Sequence, residues 1–173
     1  YPDLHDVIKT KSVDEGATIL ADAFRLANLD SVRDENHAKK AALFAQEQRT
    51  RNIVNRALKK YAKEAECDKG GIVVDGRDIG TLVFPGADVK LFVTATILAR
   101  SKRRFKELEN NSKDISLESI IDDIKNRDER DQNRQIAPLK PAFDSVVLDT
   151  TGLDVDETLK NALAIVERVR KTA

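Results

Sequence analysis

The stretch IVVDGRDIGTLVFP, residues 72–85, decides how this chain is read. Ile72, Val73 and Val74 are a β-branched apolar run of the kind that fills a buried strand. The run leads directly into Asp75-Gly76-Arg77-Asp78. A strand expected over 72–75 therefore ends in opposite charges at the mouth of a core. Charges in such a place are costly unless they are paired or bound to something. In open α/β sheets, ligands gather beyond the carboxyl ends of the strands. Arg77 is then expected to face a phosphate, and Asp75 to hold Mg2+ directly or through water. Gly76 is expected to let the backbone turn sharply. A β-turn closed by a local Asp–Arg pair is the plainer alternative.

Outward from this stretch, strands and helices alternate. FPGAD (84–88) reads as a turn, VKLFVTA (89–95) as a second strand and SVVLDT (145–150) as a third. Helices are expected over 13–28, over 34–66 as one long helix or two abutting ones, over 97–110, over 116–134 and over 155–171. Asp14 and Glu15 suit a first turn, Ser116 is a candidate N-cap, and Gly70 or Gly71 is a candidate helix stop. APLKPAFD (137–144) is a Pro-bearing connection. This alternation predicts an α/β domain with a parallel sheet whose strands are buried on both faces. No internal repeat is visible, and low complexity is confined to ENNSKD (109–114).

The helix over 116–134 carries the second constellation. Leu117, Ile120, Ile121 and Ile124 fall at i, i+3, i+4 and i+7, one buried stripe. Continued along the helix, the stripe next meets Asp128 and Asp131, with Arg127 and Arg134 along one edge. A structural salt-bridge network is the bland explanation. The sharper one is a cleft for an anionic, hydroxyl-bearing ligand, with arginines gripping phosphate and Asp131 accepting from sugar hydroxyls. RSKRR (100–104) adds further cations, read either as a solvated helix face or as a phosphate-contacting flap. DTTGL (149–153) passes for a phosphate loop but is more simply a strand end and a turn.

Bulk composition narrows the field. The 173 residues hold 30 Lys+Arg against 30 Asp+Glu, a formal net charge of zero, which argues against a bulk polyanion binder. Cys67 is the single cysteine, so no intrachain disulfide forms, and cytoplasmic localisation is expected. His5, His37 and Cys67 stand apart from one another and make no metal-ligand cluster. Apolar runs reach about five residues, far below the roughly 20 of a membrane span. No G-x-G-x-x-G follows a strand, which sets aside a dinucleotide oxidoreductase. The chain has no methionine and opens on YPDLHDVIKTK, so it is expected to be part of a longer product.

From Gly70 onward the motifs resemble one known pattern. DGRDIGT with VFP, then RDERDQNR with APLKPA, then LDTTGL occur together and in order. This combination is similar to that of the bacterial cytidylate kinases, with a looser likeness over 13–66. The resemblance implies a P-loop-type nucleoside monophosphate kinase fold, three-layered around a parallel sheet. The expected organisation is one kinase-like domain over 1–173. It comprises a helical CMP-binding region at 13–66, a core at 67–96 and 137–173, and a lid region at 97–136. The implied reaction is Mg2+-assisted transfer of the γ-phosphate of ATP to CMP or dCMP, by a monomer with no nucleic-acid or membrane partner.

Roles follow residue by residue from the same resemblance. Arg77 holds the CMP phosphate and Asp78 the cytosine edge. Arg127 and Asp131 face the pentose and phosphates, and Arg134 lies near the pyrimidine or phosphate. Asp75 sits near Mg2+, and Arg130 joins Asp75, Arg77 and Arg127 in the catalytic set. Arg100, Arg103 and Arg104 belong to the closing lid. Arg51 contacts cytosine if about one extra helical turn precedes Gly70, and Arg56 does so otherwise. The sequence also departs from the family pattern. It contains no Gly-Lys dipeptide and so no Walker A loop, G-x-x-x-x-G-K-[ST]. In the family fold the strand before that loop is central in the sheet, so the core is expected to be weakened and turnover by these 173 residues impaired. Ala42 stands where a cytosine-side serine is expected. Pro2 replaces an expected arginine if Tyr1 matches the family tyrosine; another alignment puts Lys9 there. The alternatives are a non-catalytic pyrimidine-nucleotide-binding module and a helical RNA- or protein-interaction domain.

Overall fold

The computed structural model describes residues 9–26, 47–109 and 115–172. Ala42 and Pro2 lie outside them, as does much of the helix expected over 34–66. The chain divides into two compact units, Tyr1–Val74 and Asp75–Ala173.

The first unit pairs helix α1 (Val13–Leu26) with helix α2 (Gln48–Lys69). Helix α1 starts at Ser12 because Ser12 and Glu15 cap each other. The Glu15 amide donates to Ser12 Oγ at 3.2 Å and the Ser12 amide to Glu15 Oε2 at 3.0 Å, a capping box. These bonds from Ser12 hold the Glu15 carboxyl below its usual range. Ala17, Ala21 and Ala57 are buried with Leu20 packed against them, and Ile53 is fully buried on α2. Small residues let two helix backbones approach closely, so this core is tight but thin. Gly70 ends α2 in the left-handed region, φ 73°, with its N–H on the Glu66 carbonyl at 3.1 Å. Only glycine enters that region without strain, which explains the stop.

The second unit contains the sheet. Strand β1 (Leu91–Thr94) and strand β2 (Val146–Asp149) pair in parallel, in register from Leu91 with Val146 to Thr94 with Asp149. A parallel pair needs a long crossover, and helices α3 (Ile97–Leu108) and α4 (Leu117–Gln132) provide it, packed on each other. Both start where side chains cap them. Thr96 Oγ1 accepts from the Ala99 amide at 3.3 Å, and Ser116 Oγ from the Ser119 amide at 3.1 Å. Helix α5 (Val155–Thr172) follows β2 behind a second capping box, Asp154 with Glu157. No described helix is long and apolar enough to cross a membrane.

The strand expected over 72–75 does not form. Among the described residues the sheet has two strands, paired with each other, and residues 72–75 belong to neither. Val73 is fully exposed and Ile72 is exposed. A strand exists only where a ladder partner takes its N–H and C=O groups. Apolar, β-branched residues alone do not create one.

A buried cation braces the approach to β1. Lys90, whose side chain is 6% exposed, donates from Nζ to the Pro85 carbonyl and to Asp144 Oδ2, the latter at 2.5 Å. The hydrogen bond from Lys90 holds the Asp144 carboxyl below its usual range, against desolvation acting the other way. A depressed folded-state value means that this contribution is present above the unfolded value of about 3.9 and fades as pH falls through the folded one. The midpoint of thermal unfolding is therefore expected to drop on acidification below about pH 4. Asp144→Asn is expected to start lower and to fall less over the same interval. Thermal melts of both proteins across that range test this.

Candidate functional site

Arg77 is held from both sides in sequence. After it comes a π-helical turn, Ile79–Val83. There the Val83 amide reaches the Asp78 carbonyl at 3.3 Å and the Phe84 amide the Ile79 carbonyl at 2.7 Å. Such widened turns occur often at functional sites. Val83 is buried and anchors the turn. Before Arg77 comes Gly76, at the start of the bend formed by Arg77 and Asp78. Its φ lies outside the left-handed region, to which Gly70 and Gly71 belong. A Cβ on Gly76 would instead sit 2.7 Å from Ile79 Cγ1, so the glycine makes room for that side chain.

The opposite wall is α4. Its stripe runs as the periodicity predicts, through Ile120, which is buried, and on to Asp131, which is 2% exposed. Arg77 Nη1 donates to Asp131 Oδ2, and Arg134 Nη2 forms an ion pair with Asp131 Oδ1. One buried carboxylate thus carries a guanidinium on each oxygen. The Asp131 carbonyl accepts from the Leu139 amide at 2.8 Å, which fixes the backbone beneath. One turn earlier, Asp128 takes Arg100 of α3 in a two-point grip, Nη1 to Oδ1 at 3.0 Å and Nη2 to Oδ2 at 2.7 Å.

The charges do not balance. Arg77, Arg100, Arg127 and Arg134 face Asp128 and Asp131. Burial pushes the Arg77 guanidinium below its ordinary range; Arg127 and then Arg134 push the same way, Asp128 opposes them, and Arg100 adds to them. An arginine does not shed its proton under such pressure. The surplus appears as positive potential, which favours an incoming anion. The direct pair with Asp131 is what lets two guanidinium groups share this space without one.

The remaining candidates separate by environment. Arg127 and Arg130 are exposed on α4, and Arg130 Nε donates to the Asn126 carbonyl at 3.1 Å. Asp78 is half-buried beside Arg77 in sequence, and Asp75 is exposed. The described residues contain no group of three or more metal-ligating side chains. A single exposed carboxylate such as Asp75 nevertheless fits Mg2+, which keeps water and phosphate ligands around one or two carboxylates. The RSKRR arginines point to three different partners. Arg100 binds Asp128. Arg103 donates to Thr150 Oγ1 at 3.1 Å, to the Thr150 carbonyl and to the Leu153 carbonyl at 3.2 Å. Arg104 pairs with Glu107 at 3.0 Å on the surface. On α2, in the first unit, Arg51 is half-buried and Arg56 pairs with Asp14.

Two features escaped the sequence reading. Asp128 lay on the predicted stripe, but nothing local marked it as the partner of Arg100. The end of β2 is locked by Thr151, whose hydroxyl accepts from the Thr96 amide at 3.0 Å and donates to Asp149 Oδ1 at 2.6 Å. The Thr151 side-chain and backbone bonds hold the Asp149 carboxyl below its usual range. The only local signal for this was the Asp-x-Thr spacing.

A family model described as cytidylate kinase matches residues 5–168. The protein named cytidylate kinase 1 of Haemophilus influenzae is 42% identical over 147 residues, 85% of this chain and 59% of that protein. The cytidylate kinase of Pseudomonas putida is 37% identical over 158 residues, 91% of this chain and 57% of its own length. That of Methylocella silvestris is 53% identical over 98 residues, 57% of this chain and 45% of its own. The chain thus spans about half the length of the curated relatives it matches.

Proposed function

The chain belongs to the cytidylate kinase family, and from that premise we propose that it binds CMP or dCMP as phosphoryl acceptor. The carrying observation is the convergence of Arg77 and Arg134 on buried Asp131, inside a cluster with surplus positive charge. Phosphoryl transfer asks little covalent chemistry of a protein; it asks for placed positive charge and aligned reactants. Arg77 and Arg134 supply charge for the acceptor phosphate. Asp78 takes the cytosine edge, and Asp131 and Arg127 the pentose. Arg130 assists catalysis from the exposed face of α4. Arg100, Arg103 and Arg104 belong to the lid, whose closure excludes water. ATP would supply the phosphoryl group, and Asp75 would hold a Mg2+ whose charge would offset that developing on it. The same reading carries a P-loop-type nucleoside monophosphate kinase fold, three-layered around a parallel sheet, in a cytoplasmic monomer that works on small nucleotides.

A second reading is a pyrimidine-nucleotide-binding module without transfer. The 173 residues contain no Gly-Lys dipeptide and hence no Walker A loop for the ATP phosphates. Calorimetry and a transfer assay separate the two. The chain is expected to bind CMP at micromolar concentration and to form little CDP from ATP. Turnover matching a cytidylate kinase with an intact Walker A loop would overturn the expected impairment. Failure to bind CMP would overturn the acceptor-site assignment.

A further inference from the structure

In the arrangement described, Asp131 is inaccessible to a ligand. It is 2% exposed; one oxygen accepts from Arg77 and the other is ion-paired with Arg134. The arginines above it are open: the Arg77 side chain is 32% exposed and that of Arg134 39%. Each guanidinium has five N–H donors and spends one nitrogen on Asp131. A ligand arriving from solvent therefore meets the arginines first. A sugar hydroxyl reaches the carboxylate only after one of them has moved.

We propose that Asp131 is a built-in competitor for the substrate phosphate, so that phosphate recognition unlocks sugar recognition. Its carboxylate holds Arg77 and Arg134 in place until a phosphate draws one of them away. The oxygen thus released accepts a hydrogen bond from the pentose. The exchange trades one charge-assisted bond for another, so the arginine is never left unpaired. It also keeps the surplus charge of Arg77, Arg100, Arg127 and Arg134 partly neutralised while no anion is bound. This inference rests on the CMP reading and adds to it a coupling between two halves of one ligand. A nucleoside is bound poorly because it lacks the group that opens the carboxylate, beyond simply lacking that group's contacts.

The coupling is read by splitting the ligand. Cytidine is titrated calorimetrically into the chain with and without saturating inorganic phosphate, and CMP is titrated separately. Phosphate is expected to tighten cytidine at least about fivefold, and cytidine to tighten phosphate by the same factor. In Asp131→Asn the coupling is expected to vanish, and inorganic phosphate to bind several-fold more tightly, because its internal rival is neutral. A simple sugar-binding role for Asp131 predicts neither effect. If CMP binds but phosphate leaves cytidine affinity unchanged or weaker, the proposal is wrong. A folded Asp131→Asn that gains no affinity for phosphate also refutes it. Should that variant not fold by circular dichroism, the cytidine–phosphate coupling in the parent chain decides alone. Absence of CMP binding is a separate result, which removes the acceptor-site reading and this coupling with it.

Discussion

Arg77→Gln is expected to lower CMP affinity about 100-fold and to leave thermal stability nearly unchanged. A guanidinium gripping phosphate makes charge-assisted bonds whose loss costs about 3 kcal/mol, and each 1.4 kcal/mol is about tenfold in affinity. The stability side follows from the unbalanced cluster. Arg77 is a partly desolvated cation pushed by Arg127, Arg134 and Arg100. Its removal relieves that repulsion and still leaves Asp131 paired with Arg134. These effects act in opposite directions, so the net change in stability is expected to be small. If the cluster existed only to brace the fold, the pattern would reverse, with a large loss of stability and unchanged CMP binding. Calorimetry and thermal melts on one preparation of the variant distinguish the two.

The two halves of the cluster were legible to different degrees. The stripe through Leu117, Ile120, Ile121 and Ile124 is local: helical periodicity carries it onward to Asp128 and Asp131 without knowledge of any neighbour. The burial of Ile120 and Asp131 matches it. The helix start at Ser116 was legible for the same reason, since a cap is a contact within one turn. The strand over 72–75 was misread because pairing is not local. Ile72, Val73 and Val74 have strand propensity, yet propensity expresses fit to a sheet and does not provide the neighbouring strand. RSKRR was hard to read for a different reason. Arg100, Arg103 and Arg104 look equivalent in sequence, and only tertiary structure assigns them to Asp128, to the Thr150 and Leu153 carbonyls, and to Glu107. The left-handed backbone of buried Ala137, φ 58°, had no sequence signal either, since alanine is a poor choice for that region.

Removing the anion should have the opposite consequence to removing a cation. Asp131→Leu is expected to destabilise the chain by about 3 kcal/mol, near the lower end of the range for breaking a buried ion pair, because both arginines keep some solvent. The shape of the side chain is roughly preserved, so the loss is electrostatic. Arg77 and Arg134 are left facing each other with Arg127 and Arg100 close by, and Asp128 is already engaged by Arg100. That origin makes the defect repairable from solution. Sulfate or phosphate binding between the two guanidinium groups stabilises the folded state by mass action. Millimolar phosphate is therefore expected to raise the midpoint of thermal unfolding of Asp131→Leu by more than it raises that of the parent. Sodium chloride at matched ionic strength should do less, since general screening does not replace a bound anion. Equal responses to the two salts would mean that the two arginines do not form an anion site once the carboxylate is gone. The charge cluster would then be a brace for α4, and the resemblance of its geometry to a phosphate-binding site would have no functional consequence.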